Sequence, residues 1–222
     1  MKIEIYHLSK QIKDHLILND ITLQMRSGYV YGFQGINGSG KTMLMRAVLG
    51  LIRPTRGFVE IDGKILGKDA DFPDNAGFLL EHPAFLNRYS GFYNLKMIAD
   101  TGGMASDEDI CRLIWRVGLD PYDSKKYGKY SLGMKQRLGI AGALLGDPGL
   151  IILDEPTNGL DSDGVRVVQE IIRDEKKRGA LVILSCHDQA FLEAAADKIF
   201  VIEEGKITKF KAAAEAEYEN EK

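Results

Sequence analysis

The sequence predicts an α/β fold, and three observations predict it. The run GINGSGKT (Gly35 to Thr42) sits between a strand pattern, Tyr29 to Phe33, and a helical pattern, Lys41 to Leu51. The run LIILDEP (Leu150 to Pro156) is continuously apolar and then ends in paired carboxylates. Such runs suit central parallel strands buried on both faces. Between the two, from about Pro83 to Gly146, the pattern turns helical.

Taken in order, Lys2 to Leu8 and Leu16 to Met25 alternate as strands of an antiparallel sheet do. The glycine-rich loop with its strand and helix follows, and Arg53-Pro54-Thr55-Arg56-Gly57 turns the chain. Phe58 to Ile61 and Lys64 to Leu66 flank Asp62-Gly63, a hairpin signal. Ala76 to Leu80 is a further apolar strand. Helical periodicity marks Asn94 to Asp100, Asp107 to Val117 and Met134 to Leu145, punctuated by Gly102-Gly103 and Gly118 to Asp123. After LIILDEP come a helix (Asp163 to Arg178), a buried strand (Ala180 to Ser185), a helix (Gln189 to Ala196) and a hairpin (Lys198 to Thr208) around Glu204-Gly205. The Ala/Glu-rich tail from Lys211 reads as a short frayed helix. These boundaries give one domain over 1–222: a core of about 1–82 and 147–210, a helical subdomain of about 83–146, and a tail of 211–222.

GINGSGKT fits the pattern G-x-x-x-x-G-K-[ST]. A triphosphate is a dense anion, and backbone can wrap it only where side chains do not block the approach. Gly35, Gly38 and Gly40 remove Cβ atoms, so successive N–H groups can curl around phosphate oxygens. The helix that follows points its positive end at the same place. Lys41 adds a point charge for the β/γ phosphates, and Thr42 offers a hydroxyl to Mg²⁺. The candidate nucleotide-binding set in the loop is Gly35, Asn37, Gly38, Ser39, Gly40, Lys41, Thr42 and Met43. Asp154 sits at the carboxyl end of its strand, where open α/β sheets bind ligands, and is placed to support Mg²⁺. Glu155, aimed differently by strand alternation, is placed to polarise an attacking water. The chain reads as one that binds a nucleoside triphosphate and hydrolyses it.

Composition narrows the classes. The chain has 222 residues, enough for one sizeable α/β domain, and 45% are hydrophobic. A net charge of −3 gives no electrostatic reason for nucleic-acid binding. Cys111 and Cys186 lack metal-ligand spacing and read as reduced cytosolic thiols, with Cys186 in a packing role. No apolar run approaches the roughly 20 residues of a membrane span, and MKIEIYHLSK is a strand pattern rather than a signal peptide. The expectation is a cytoplasmic protein that reaches a membrane only through another chain.

Five segments, GINGSGKT, LLEHPAF, YSLGMKQR, LIILDEPTNGLD and LSCHD, resemble in order and spacing the motifs of the ABC ATPases, the nucleotide-binding domains of ATP-binding-cassette proteins. The resemblance covers Lys2 to about Lys209. It implies a RecA-like P-loop core with an N-terminal antiparallel β subdomain and an inserted helical subdomain. YSLGMKQR (Tyr130 to Arg137) resembles the family signature, usually LSGGQ, with Ser131 and Gly133 in place, Leu132 for the first Gly and Met134 for the Gln. Ser131 also suits the N-cap of a helix beginning near Met134. In the family this segment contacts the γ-phosphate of ATP held by the P-loop of a second subunit. Asn158-Gly159-Leu160-Asp161 resembles the D-loop, with Asp161 facing the dimer partner. His187 resembles the switch histidine at the γ-phosphate. The implied catalytic set is Glu155, His187 and Lys41.

Two positions depart from the family. Glu81 stands where Gln is usual, in the loop leading to the helical block. It implies a third metal-side group beside Thr42 and Asp154, adding negative charge that Mg²⁺ would offset. Ile12, near His15, stands where an aromatic residue usually stacks on adenine, which implies modest discrimination between ATP and GTP. The Glu81 pattern and the run SLGMKQRLGIA resemble the branch of bacterial exporters for bacitracin and lantibiotic-type peptides. The implied partners are a separate transmembrane permease subunit at the inner face of the membrane and a second cassette, identical or different, in a nucleotide-dependent head-to-tail dimer. Phe85, Leu86, Tyr89 and Phe92 are either the surface that meets the permease or the core of the helical block. The alternative function is a soluble, non-transport ABC ATPase such as a cluster-assembly type.

Overall fold

The computed structural model describes residues 1–212. The first two strands, β1 (Lys2–Ile12) and β2 (His15–Arg26), pair antiparallel with Ile3 opposite Met25 and Ile5 opposite Leu23. Both run further than their alternation suggests. His7 (φ 45°) and Asp20 (φ 56°) form irregularities that break the alternation while the ladder continues beyond them.

The chain then enters the central sheet as β3 (Val30–Gln34), which leads through the glycine loop into α1 (Lys41–Val48). That helix ends sooner than its apolar pattern, with Gly50 in the left-handed region (φ 74°). β4 (Arg56–Ile61) takes in two residues expected in the turn, returns to pair with β1, and folds into β5 (Lys64–Ile65) around Asp62 and Gly63. The first sheet therefore has the order β2-β1-β4-β5.

β6 (Ala76–Leu79) rejoins the central sheet. Three helices follow: α2 (Gly91–Gly102), α3 (Asp107–Arg116) and α4 (Leu132–Ala143). Side-chain caps start α2 and α4 before their apolar periodicity is evident. The Ser90 hydroxyl accepts from Tyr93 N–H at 3.4 Å, and Ser131 accepts from Met134 N–H at 3.2 Å. The chain returns through β7 (Leu150–Asp154), α5 (Ser162–Lys177), β8 (Leu181–Cys186), α6 (Gln189–Ala195), β9 (Lys198–Glu203) and β10 (Lys206–Ala212). The central order is β10-β9-β3-β8-β7-β6, parallel except for the edge strand β10. Lys211 and Ala212 belong to β10, and the rest of the expected tail helix lies outside the described residues.

Alternation in the central strands feeds two cores. Leu150, Ile152 and Ile183 pack with Leu44 and Met45 of α1 and with Ile3 and Ile5 of the first sheet. Ile151, Leu153 and Leu184 pack on the other face with Leu138, Ile140 and Val168 of the helices. Every residue of β7 and β8 is buried, as a strand covered on both faces must be. Three segments singled out in the sequence thereby leave the same end of the sheet: the glycine loop after β3, the acidic pair at β7 and the histidine after β8.

Candidate nucleotide site

The loop between β3 and α1 is held at both ends by buried residues. Gly38 (φ 81°) and Gly40 (φ 112°) take left-handed backbone that other residues resist. Gly35 is required by close approach: a Cβ there would lie 2.4 Å from the Ile202 carbonyl oxygen and 2.6 Å from Ser39 Oγ. No side chain caps α1, so its first N–H groups remain for an anion. Lys41 is buried, and its ammonium donates to the carbonyls of Gly35 (2.7 Å) and Ile36 (3.1 Å). Ser39 Oγ is buried with no hydrogen-bond partner among the described residues. A cleft of about 1060 Å³ opens on this loop, with Asn37, Gly38, His187 and Gln189 among its walls. An uncapped helix start, a lysine and an unpaired hydroxyl around one loop fit phosphate oxygens.

Thr42 and Asp154 meet across this edge. Asp154 is 3% exposed; its Oδ2 accepts from Thr42 Oγ1 at 2.6 Å, and its Oδ1 accepts from the Ser185 hydroxyl. A hydroxyl and a carboxylate are the oxygen donors that Mg²⁺ prefers. Ser185 lies directly opposite Asp154 in the β7/β8 register. A polar residue ending an otherwise apolar strand was the available signal for it.

Glu155 leaves the strand line by a left-handed residue (φ 49°). Its N–H donates to Ser185 O at 3.0 Å, and its own carbonyl accepts from Gln136 Nε2 (3.0 Å) and Asn158 N–H (3.2 Å). The side chain then meets His187, with Nδ1 2.8 Å from Glu155 Oε2. Glu155 Oε1 is buried without a partner among the described residues. Leaving a carboxylate oxygen so costs on the order of 1–3 kcal/mol, and it leaves that oxygen able to accept a hydrogen from a water. Gln136 escaped the sequence reading although it lies inside the YSLGMKQR run. It ties α4 to the turn at Glu155. Burial pushes the Cys186 thiol up, and its Sγ lies 3.6 Å from Thr157 Oγ1, beneath the cleft rather than on its wall.

The signature segment lies elsewhere. Ser131, Gly133, Gly159 and Asp161 line a second cleft of about 500 Å³, and none of its lining residues also lines the cleft of the glycine loop. Gly133 is packed so closely on the D-loop that a Cβ would come 2.8 Å from Gly159 O. Asp161 caps α5, accepting from Gly164 N–H (2.8 Å) and from Arg137 Nη2 (3.1 Å). These contacts, the backbone one foremost, hold its carboxyl below the usual range. Glu81 follows β6 and is paired with Arg46 at 2.7 Å. Ile12 closes the β1–β2 hairpin opposite His15, is 45% exposed, and is not among the residues that line the glycine-loop cleft.

Comparison with known proteins agrees with this geometry. The family model for ABC transporters matches residues 18–158. An uncharacterized ABC transporter ATP-binding protein of Bacillus subtilis, YybJ, is 43% identical over 92% of this chain and 94% of its own. The lantibiotic transport ATP-binding protein SrtF of Streptococcus pyogenes is 37% identical over 92% of this chain and 88% of its own. The bacitracin transport ATP-binding protein BcrA of Bacillus licheniformis is 40% identical over 90% of this chain and 64% of its own. Among solved structures, an ATP-binding subunit of an ABC transporter superposes with a TM-score of 0.86 at 26% identity, covering 98% of this chain and 92% of that one. The cassette MJ0796, a dimer in a post-hydrolysis state with ADP and Pi, shares the fold with a TM-score of 0.84 at 21% identity, covering 95% of this chain and 98% of that one. By sequence, fold and site, the chain belongs to the ABC transporter ATP-binding proteins, and it is an ATPase of that family.

Proposed function

We propose that this ATPase powers export of a peptide antibiotic or a related compound through a separate membrane permease. The observation that carries the reading is an apolar strip on the helical block, which we assign to residues 83–146. Leu86, Tyr89 and Tyr93 are 54%, 40% and 58% exposed, and Met97 continues the strip one turn along α2. Tyr93 and Met97 stand four residues apart on α2 and so share a face, and Tyr89 lies just before the helix's N-cap Ser90. Phe85 and Phe92, by contrast, pack against the core, Phe85 edge-on to Tyr127. Thus Phe85 and Phe92 belong to the core, and Leu86 and Tyr89 are left exposed for the permease surface proposed here. A strip of this kind suits a partner protein, and no helix among the described residues is long and apolar enough to cross a membrane. The names of SrtF and BcrA support peptide cargo.

The separation of the two clefts supports a head-to-tail dimer. In it the signature of one cassette (Ser131, Gly133) closes on the P-loop of the other, and Asp161 lies at the seam. Lys41 and the 35–40 loop hold the triphosphate. Thr42 and Asp154, joined by Glu81, would hold Mg²⁺, which when bound neutralises phosphate charge. Glu155 takes a proton from the attacking water, and His187, bonded to Glu155, orients it.

The test is a pull-down from native membranes with tagged Glu155→Gln protein and ATP. Recovery of a multi-span membrane protein is expected, and substitution of Tyr89 and Tyr93 by Ser should abolish it. Recovery of soluble partners alone would refute the transport reading and favour a soluble ABC ATPase. Loss of the gene leaving sensitivity to bacitracin-type and lantibiotic-type peptides unchanged would refute the cargo.

A further inference from the structure

We propose that Arg46 is a positioning residue for Glu81: it parks the carboxylate one helical turn behind the Thr42–Asp154 pair and competes with the metal–nucleotide for it. The proposal rests on the metal-side role given to Glu81 above.

Thr42 and Arg46 stand four residues apart on α1. They therefore share one face of the helix and lie about 6 Å apart along its axis. Each meets a carboxylate: Thr42 Oγ1 donates to Asp154 Oδ2 at 2.6 Å, and Arg46 Nη2 donates to Glu81 Oε1 at 2.7 Å. The two carboxylates leave the carboxyl ends of neighbouring strands. β6 and β7 pair in parallel with Leu79 opposite Leu153; Asp154 follows Leu153 at once, and Glu81 follows Leu79 by two residues at the same end of the sheet. Glu81 itself is left-handed (φ 56°). Along the face of α1, Glu81 is thus one turn away from the hydroxyl and carboxylate that suit Mg²⁺.

Charge explains why such a parking place is needed. Asp154, Glu155 and Glu81 put three carboxylates on one sheet edge, where like charges disfavour one another. A glutamine at position 81 would need no counter-ion. A glutamate gains a little from one, and Arg46 provides it. Mg²⁺ held by Thr42 and Asp154 would offer Glu81 a divalent cation in place of the guanidinium, and Glu81 would leave Arg46 for it. Both groups are partly exposed, so the parked state is shallow and the exchange is reversible. The exposed ion pair sets the size of the competition at about 1.5- to 5-fold in apparent metal affinity.

The experiment measures binding of a fluorescent ATP analogue as free Mg²⁺ is varied, in the turnover-deficient Glu155→Gln background. Glu81→Gln should raise the Mg²⁺ midpoint, because the metal loses a carboxylate. Arg46→Gln should lower it by about 1.5- to 5-fold, and Arg46→Lys should restore it towards the parent value. Arg46→Gln should have no effect once Glu81→Gln is present, which is the signature of action through Glu81. A midpoint unmoved by Arg46→Gln, or moved equally in both backgrounds, overturns the proposal. A midpoint unmoved by Glu81→Gln overturns the metal-side role of Glu81 itself, a different failure read from a different variant.

Discussion

Arg116→Met tests how the helical block is held to the core. Glu175 on α5 is a buried carboxylate with arginines on two sides. Arg116 of α3 donates to Oε1 at 2.5 Å, and Arg178 donates to Oε2 through Nε (2.8 Å), with its Nη2 in ion-pair contact with the same oxygen at 2.6 Å. Methionine keeps most of the apolar stem and removes one charge-assisted hydrogen bond, worth about 1.5–3 kcal/mol. Two features shift the cost downward. Arg116 is 30% exposed, so solvent screens part of the interaction. Arg178 also keeps the carboxylate paired, so the roughly 3–5 kcal/mol of an orphaned buried charge is not reached. The expected loss is about 1–2 kcal/mol, or roughly 2–8 °C in Tm for a chain of this size. Arg178→Met should cost more, because that guanidinium also donates to the carbonyls of Asp147 (3.1 Å) and Pro148 (2.6 Å). Urea unfolding followed by circular dichroism gives both values. Affinity for an ATP analogue should stay within about twofold, since neither residue lines the nucleotide cleft. A loss under about 0.5 kcal/mol for Arg116→Met, within the scatter of ordinary surface changes, or a larger loss than for Arg178→Met, would refute the reasoning.

Three further outcomes bear on the site. Glu155→Gln should bind ATP but lower turnover by about 10²- to 10⁴-fold; wild-type phosphate release would remove Glu155 as the general base. Gly35→Ala should weaken ATP binding roughly 5- to 150-fold, the equivalent of about 1–3 kcal/mol of overpacking against Ile202 O; unchanged affinity in a nucleotide titration would mean that the loop relaxes freely. With Ile12 unable to supply the roughly 1–3 kcal/mol of an aromatic stack on adenine, ATP and GTP should compete within about tenfold, and a strong ATP preference in competition binding would contradict this.

The sheet core and the nucleotide edge were legible because the physics there is local. Gly35, Gly38 and Gly40 need no side chain, β7 needs apolar residues throughout, and Asp154 must follow at once. What was hidden depends on register or on distance. The Asp154–Ser185 bond follows only when β7 and β8 are known to be neighbours. Gln136 reaches the catalytic turn only because α4 packs under it, and the Arg46–Glu81 pair joins elements 35 residues apart. Helix starts were read late for a related reason. At Ser90 and Ser131 the cap is a hydroxyl-to-backbone bond, which precedes the first apolar contact and leaves no periodicity. Strand ends were read short at β1 because alternation ceases at an irregularity while hydrogen bonding does not.

Pairing of buried polar groups separates the site from the scaffold. Away from the nucleotide edge such groups are saturated. Asn94 accepts from Leu86 N–H (2.8 Å) and donates to the carbonyls of Leu86 (3.2 Å) and Ser90 (2.9 Å), while Glu175 is met by two arginines. At the edge, Ser39 Oγ and Glu155 Oε1 have no partner among the described residues. Each such oxygen costs about as much as a lost hydrogen bond unless a water, ion or ligand meets it. One lies in the glycine loop and the other beside His187. The saturated Asn94 has the converse role: it fixes the segment that presents Leu86 and Tyr89. Under the proposed function, a saturated outer segment and an unsatisfied inner edge suit an ATPase whose closure on nucleotide is to be felt by a partner rather than absorbed within the cassette.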